Sequence, residues 1–228
     1  MNRVDFPTLA LRAEVFPKTI ADRTRKVYDR VSFIYPASTF FFHSKAHKYV
    51  MEESGIQDGS RVLEVACGSG EMFRRLVQKN RRGQTIGVDI SPNMAAKTQR
   101  EARRDFPGHK TYCQAVDARA LPFRDESFDS VVVCYLLELL GQEDVVSVLE
   151  ELHRVLKPKC KLSLVLIGQN TELFNRAYRV AGSVAPAFWG RQVEQSVPAL
   201  IRDLDFRILK DRVMRQGFYP SRVLIAQK

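Results

Sequence analysis

The run Val62-Leu63-Glu64-Val65-Ala66-Cys67-Gly68-Ser69-Gly70 constrains this chain more than any other stretch. Its first half is apolar apart from Glu64 and reads as a buried strand. Its second half has so little side-chain bulk that the backbone can turn sharply and let another molecule come close. Glu71 to Val77 then returns to helical spacing, with Met72, Phe73, Leu76 and Val77 on one side. Strand, small-residue turn and helix open a nucleotide-type binding site. Packing alone also produces such turns, so the meaning of this one rests on the elements C-terminal to it.

The next element is a second strand, Thr85 to Ile90, with Asp89 at its end, and then Ser91-Pro92 is a helix start. That helix runs to about Arg104. Thr111 to Val116 is a third strand ending in Asp117-Ala118, and Phe128 to Tyr135 is a fourth. Val145 to Leu156 is an amphipathic helix stopped at Lys157-Pro158, and Lys161 to Ile167 is a fifth strand. Phe206 to Leu209 and Val223 to Ala226 supply an antiparallel edge pair. The expected fold is therefore α/β: a Rossmann-like, seven-stranded, mostly parallel sheet with helices on both faces and an antiparallel last strand. Right-handed crossovers bring the ends of the first four strands to one edge, where ligands lie in such folds. Glu64, Asp89, Asp117 and Cys134 sit at or near those ends.

Ahead of this core, residues 1–54 read as an N-terminal helical arm or cap. They include the aromatic tract Tyr28 to Tyr35, broken by Pro36, and a helix over His43 to Met51 that stops near Gly55. Residues 55–228 form the main domain, with an insertion at about 169–200. At 228 residues, 45% apolar and 27% charged, the composition is that of an ordinary globular protein. No apolar run nears the ~20 residues that span a bilayer, and no signal-type segment opens the chain. A cytoplasmic protein, with peripheral membrane contact as an option, is the expected setting. Cys67, Cys113, Cys134 and Cys160 are widely separated and read as free thiols. The net charge of +10 fits a nucleic acid, an anionic membrane, an anionic substrate or solubility alone.

Asp89 lies about 20 residues beyond the loop, where an acidic residue accepts both hydroxyls of an adenosine ribose. A nicotinamide dinucleotide would use the same geometry, but its diphosphate needs a third glycine, and Phe73 stands in that place. An acidic Glu64 at the base of the loop also suits a cationic ligand better than a diphosphate.

The ordered set VLEVACGSG, GVDISPNM, CQAVDARALPF, FDSVVVCYLLELL and ELHRVLKP resembles the class I S-adenosylmethionine-dependent methyltransferases, most of all the ubiquinone/menaquinone-biosynthesis branch. The resemblance covers residues 25 to 168. It implies S-adenosylmethionine as methyl donor, S-adenosylhomocysteine as product, and a role for each matched residue. Glu64 would act near the amino-acid end of the cofactor, and Ala66, Gly68, Ser69 and Gly70 would let the backbone approach its methionine moiety. Asp89 would take the ribose, with Ile90 and Met94 against the adenine. Asp117 would accept from the adenine amino group, with the Ala118 amide nearby. Cys134 and Tyr135 would line the side where the methyl faces its acceptor, and Tyr28 and Tyr35 would close over the cofactor. Two positions depart from the family: Ala66 replaces the first loop glycine, and Lys159-Cys160 replaces a glycine pair before the fifth strand.

Each side chain also has a plainer reading. Met94 fits helix core, Tyr28 fits packing, and His43 with His47 at i, i+4 fits a helix surface better than a metal site. Methyl transfer needs a base only where the nucleophile must lose a proton. Tyr28, His43, Tyr135 and Glu138 are the candidates. After the fifth strand, Leu173, Phe174, Ala177, Tyr178 and Ala181 beside Arg176 and Arg179 form a lid suited to a lipophilic or anionic-headed acceptor, such as a quinone precursor or a phospholipid amine. A nucleic-acid methyltransferase is the alternative, motivated by Arg74, Arg75, Lys79, Arg81 and Arg82. Against it, no Asn/Asp-Pro-Pro-aromatic tetrapeptide comes after the fourth strand. A non-catalytic cofactor-binding protein is the third reading.

Overall fold

The computed structural model describes residues 35–169, 193–216 and 219–228 and, within the first helix, the side chains from Ser44 onward. The described elements are α1 (Tyr35–Glu53), β1 (Arg61–Val65), α2 (Glu71–Lys79), β2 (Gln84–Asp89), α3 (Pro92–Asp105), β3 (Lys110–Ala115) and β4 (Phe128–Cys134). A short 3₁₀ turn (Leu137–Leu139) comes next, then α4 (Gln142–Val155), β5 (Leu156–Ile167), α5 (Val197–Asp203), β6 (Arg207–Gln216) and β7 (Tyr219–Gln227).

The seven strands form one sheet in the order β3-β2-β1-β4-β5-β7-β6. The first five are parallel, and β7 runs antiparallel to both β5 and β6. The order reverses between β1 and β4. This switch point leaves a crevice at the carboxyl ends of the strands. β1, β4 and β5 are central, which is why they read as near-continuous apolar runs rather than alternating ones. Leu63, Val131, Val133, Leu162 and Leu164 build the larger core with Val148, Leu149 and Leu152 of α4. On the other face Ala46, Tyr49 and Val50 of α1 pack with Met72, Leu76, Val132, Val165, Val223 and Ile225.

Three boundaries differ from the expected ones. α1 begins at Tyr35 rather than near His43, because Pro36 falls in its first turn, where the missing N–H costs nothing. β5 begins at Leu156, directly after α4. The substituted glycine pair is therefore not a turn ahead of the strand but an irregularity inside it, between the Phe128–Leu156 and Ser130–Lys161 pairings. Lys159 takes a left-handed φ of 63° there, and its N–H donates to the Lys228 carbonyl at 2.8 Å. β6 and β7 are each more than twice the expected length and hydrogen-bond over most of it.

Phe73, the residue in place of the third glycine, is fully buried. Gly87 in β2 makes room for it, since a Cβ there would lie 3.0 Å from the Phe73 ring and 3.1 Å from Cys113 Sγ. The ring thus fills the space between α2 and β2 where a dinucleotide fold carries a third glycine. All four cysteines are free thiols, Cys67 buried and the others half-buried.

Candidate functional site

The loop after β1 is held by its neighbour strand. Asp89, at the end of β2, accepts the Gly68 N–H on Oδ2 at 2.8 Å and the Ser91 N–H on Oδ1 at 2.9 Å. The Gly68 carbonyl in turn accepts from Thr98 Oγ1 of α3 at 2.9 Å. Ala66, Gly68 and Gly70 all have left-handed φ, of 62°, 46° and 81°. Gly70 has a second reason to be glycine: a Cβ would meet Thr98 Oγ1 at 2.9 Å. Ala66 carries the strain that a glycine in its place would avoid.

Above this loop lies a cavity of about 1050 Å³ including its open mouth. Its polar rim is made by Glu64, Cys67, Gly68, Ser69, Glu71, Asp89, Asp117 and Arg119, and its apolar wall includes Val65, Ile90, Val116, Leu136, Leu139 and Leu140. Glu64 is buried with Oε2 unpaired. Burial pushes its carboxyl well above the usual range, and the charges of Cys113, Asp89 and Glu71 push the same way. A buried, unpaired carboxyl among acidic neighbours is costly unless a donor or cation meets it.

Of the residues singled out from sequence, the cavity gathers Glu64, Ala66, Gly68, Ser69, Asp89, Ile90, Asp117, Ala118, Cys134 and Tyr135. Gly70 sits just behind them as the N-cap of α2. Met94 does not join; it is core, 1% exposed. Glu138 does not line the cavity either. It is the buried middle residue of the 3₁₀ turn, and its Oε1 accepts the Ile167 N–H. Tyr28 lies outside the described residues, as do the side chains of Tyr35 and His43 and most of the insertion.

Two cavity residues were not expected. Arg119 is clamped by Asp117 through Nε and Nη2, at 3.1 to 3.2 Å and 2.7 Å, and by Asp144 through Nη1 at 3.0 Å. The hydrogen bonds that Arg119 donates to Asp117 and Asp144 outweigh burial and hold the guanidinium in its charged form. Asp117 is thus committed to Arg119. The other residue is His47, which is not at a helix surface but 2% exposed and on the cavity wall. Among the described residues no cluster of His, Cys, Asp or Glu fits a metal ion.

Tyr135 also has a left-handed φ, of 55°, and its hydroxyl pairs with Ser221 Oγ at 2.7 Å. Burial raises its phenol well above the ordinary value, against the opposing Ser221 bond. A strained, non-glycine residue at a cavity rim is held there by its surroundings.

The comparisons with known proteins agree with this geometry. Residues 62–159 match the family model described as a methyltransferase domain. Over 151 residues the chain is 28% identical to a protein of Nostoc sp. named 2-phytyl-1,4-naphtoquinone methyltransferase; the match covers 64% of this chain and 65% of that relative. Over 188 residues it is 28% identical to a demethylmenaquinone methyltransferase of Listeria welshimeri, with 78% of each chain covered. The fold superposes with a TM-score of 0.74 on the magnesium protoporphyrin IX methyltransferase of Synechocystis, solved with bound S-adenosylhomocysteine, at 18% identity and covering 92% of this chain and 99% of the other. Residues 62–159 thus carry a methyltransferase domain whose small-residue loop, strand-end carboxylate and unmet buried acid line one crevice, and the chain is similar to quinone methyltransferases.

Proposed function

We propose that this methyltransferase acts on a small lipophilic acceptor of the quinone-precursor type, in its reduced, hydroxyl-bearing form. What carries the reading is the match over 188 residues to a demethylmenaquinone methyltransferase. A cavity walled by Val65, Ile90, Leu136, Leu139 and Leu140 supports it.

The residue roles are assigned by position. Asp89 takes the ribose hydroxyls: a carboxylate offers about four acceptor sites, more than two main-chain bonds use. Glu64 faces the amino-acid end. Ala118 and Asp117 border the adenine, with Arg119 fixing Asp117. Cys134 and Tyr135 border the methyl. Bound there, S-adenosylmethionine supplies an electrophilic methyl whose leaving group is neutral. The chain's own contribution is then alignment and exclusion of water.

The test is a transfer assay with methyl-labelled cofactor offered in parallel to dithionite-reduced 2-phytyl-1,4-naphthoquinone, phosphatidylethanolamine vesicles and total RNA. Label in the quinone fraction supports the reading. Label confined to lipid amine or to RNA overturns it. Sedimentation with anionic vesicles adds the membrane question, since no described helix is long and apolar enough to span a bilayer.

A further inference from the structure

His47 stands on the inner face of α1, between Ala46 and Tyr49, residues that pack into the core. Its Nδ1 lies 3.7 Å from Glu71 Oε1, and its ring centroid is 6.3 Å from that of Tyr135. Glu71 opens α2 and is itself tethered by Arg75 Nη2 at 3.0 Å. Burial alone would raise the Glu71 carboxyl, but His47 and Arg75 outweigh it and hold the group below the usual range. An imidazole thus sits beside an ionised carboxylate, on the wall shared by Glu64, Met72, Cys134 and Tyr135. That is the end of the cavity away from Asp117, Ala118 and Arg119. Among the described residues, the titratable groups beside it or on the same cavity lining include Glu71 and Arg75 from α2, Glu64 from β1, and Cys134 and Tyr135 at the end of β4.

We propose that His47, oriented by Glu71, is the base that takes the proton an acceptor loses on methylation. This rests on the reading of a small acceptor with a hydroxyl or ring hydrogen to lose. His47 gains that proton as the acceptor's electron pair bonds the methyl carbon and the carbon–sulfur pair departs onto sulfur, leaving a neutral thioether. The imidazolium formed is stabilised by the Glu71 carboxylate on its Nδ1 side, the arrangement a base needs in order to be positioned and charged in one step. Glu71 touches no reacting atom in this scheme and is a positioning residue.

The experiment has an arm that needs no acceptor. In the full-length protein, the His47 imidazole is titrated by NMR with S-adenosylhomocysteine bound and again with S-adenosylmethionine bound. A base facing the sulfonium must titrate about one pH unit lower beside the positive charge. Equal midpoints overturn the proposal. Glu71→Gln should also lower the midpoint in the S-adenosylhomocysteine complex. In the second arm, His47→Gln and His47→Asn should keep S-adenosylhomocysteine affinity while transfer to reduced 2-phytyl-1,4-naphthoquinone falls by about 10²- to 10⁴-fold and loses its acidic limb. A variant that loses S-adenosylhomocysteine affinity instead makes His47 an anchor of the cofactor's amino-acid end and overturns the base. If wild type leaves the naphthoquinol unmethylated, that acceptor reading fails, while the titration and affinity measurements still decide for or against His47.

Discussion

Asp89 Oδ2 accepts the main-chain N–H of Gly68 at 2.8 Å, so the residue that closes β2 also sets the turn at the end of β1. One carboxylate thereby links two strands, and its other oxygen accepts the Ser91 N–H that begins α3. Ser91 Oγ in turn accepts the Met94 N–H, capping the helix. The loop after β1, the end of β2 and the start of α3 therefore form one unit, and a change at Asp89 acts on all three.

Asp89→Ala removes a buried acceptor from two N–H groups and a ligand contact at once. Unfolding free energy should fall by about 2–4 kcal/mol, each orphaned donor costing about 1–2. By calorimetry, wild type should bind S-adenosylhomocysteine in the micromolar range and Asp89→Ala should show no measurable binding. Asp89→Asn keeps one acceptor oxygen and should fall between the two in stability. Equal affinity in Asp89→Ala and wild type would remove the ribose contact from the scheme.

Arg119 gives a second, separable prediction. Its side chain is 5% exposed and neutralises Asp117 and Asp144, whose side chains are 29% and 15% exposed. Arg119→Met leaves two carboxylates facing each other with no cation between them and should cost about 2–4 kcal/mol. Arg119→Met combined with Asp144→Asn should recover part of that loss, since one of the two stranded charges is gone. Thermal or urea unfolding of the set decides it; additive losses would mean that the pair does not interact through Arg119.

These two residues also show what was legible in the sequence. The place of Asp89 at the end of β2 and on the cavity lining was readable because its pattern is local: an acidic residue at a strand end, at a fixed distance after a small-residue turn. The parallel sheet was readable for the same reason, each strand being a short apolar run closed by a turn. Phe73 argued against a diphosphate, although the compensating Gly87 sits one strand away and shows only in the fold. Arg119 was not readable, because Asp144 reaches it from a helix 25 residues on. The Asp117-x-Arg119 spacing was the one available hint. The i, i+4 spacing of His43 and His47 does not say that His47 is buried. Which face of α1 is inside is decided by β7, α2 and the sheet, through Tyr49, Val50, Val223 and Ile225.

Lys159 holds φ at 63° inside β5, a conformation costing an L-residue about 1–2 kcal/mol. Glycine would remove that strain but loses about 0.4–1 kcal/mol more in the unfolded chain. Lys159→Gly should therefore be neutral or stabilising by up to about 1 kcal/mol, the reverse of what glycine does inside an ordinary strand. A drop in unfolding midpoint would mean that the strand irregularity is held by the lysine side chain rather than tolerated by it.

Glu138 supplies the pH dependence. Burial raises its carboxyl from an ordinary 4.5 to about 7, with the Ile167 N–H pulling the other way. The folded protein therefore keeps this proton where the unfolded chain releases it. Its contribution to stability is complete below the unfolded value, declines as pH rises from about 4.5 to about 7, and is absent above that. The change amounts to as much as about 3 kcal/mol. Glu138→Gln keeps an oxygen for the Ile167 N–H and cannot ionise, so it should lack this decline. Urea unfolding of both proteins between about pH 4 and about pH 8 should show Glu138→Gln gaining on wild type as pH rises. Curves that run parallel would mean that Glu138 ionises in the folded protein as easily as in the unfolded chain. Since its Oε1 fixes the end of β5 and the 3₁₀ turn that carries it also supplies Leu139 to the cavity lining, a negative charge there at alkaline pH would also reach the cavity wall next to Tyr135.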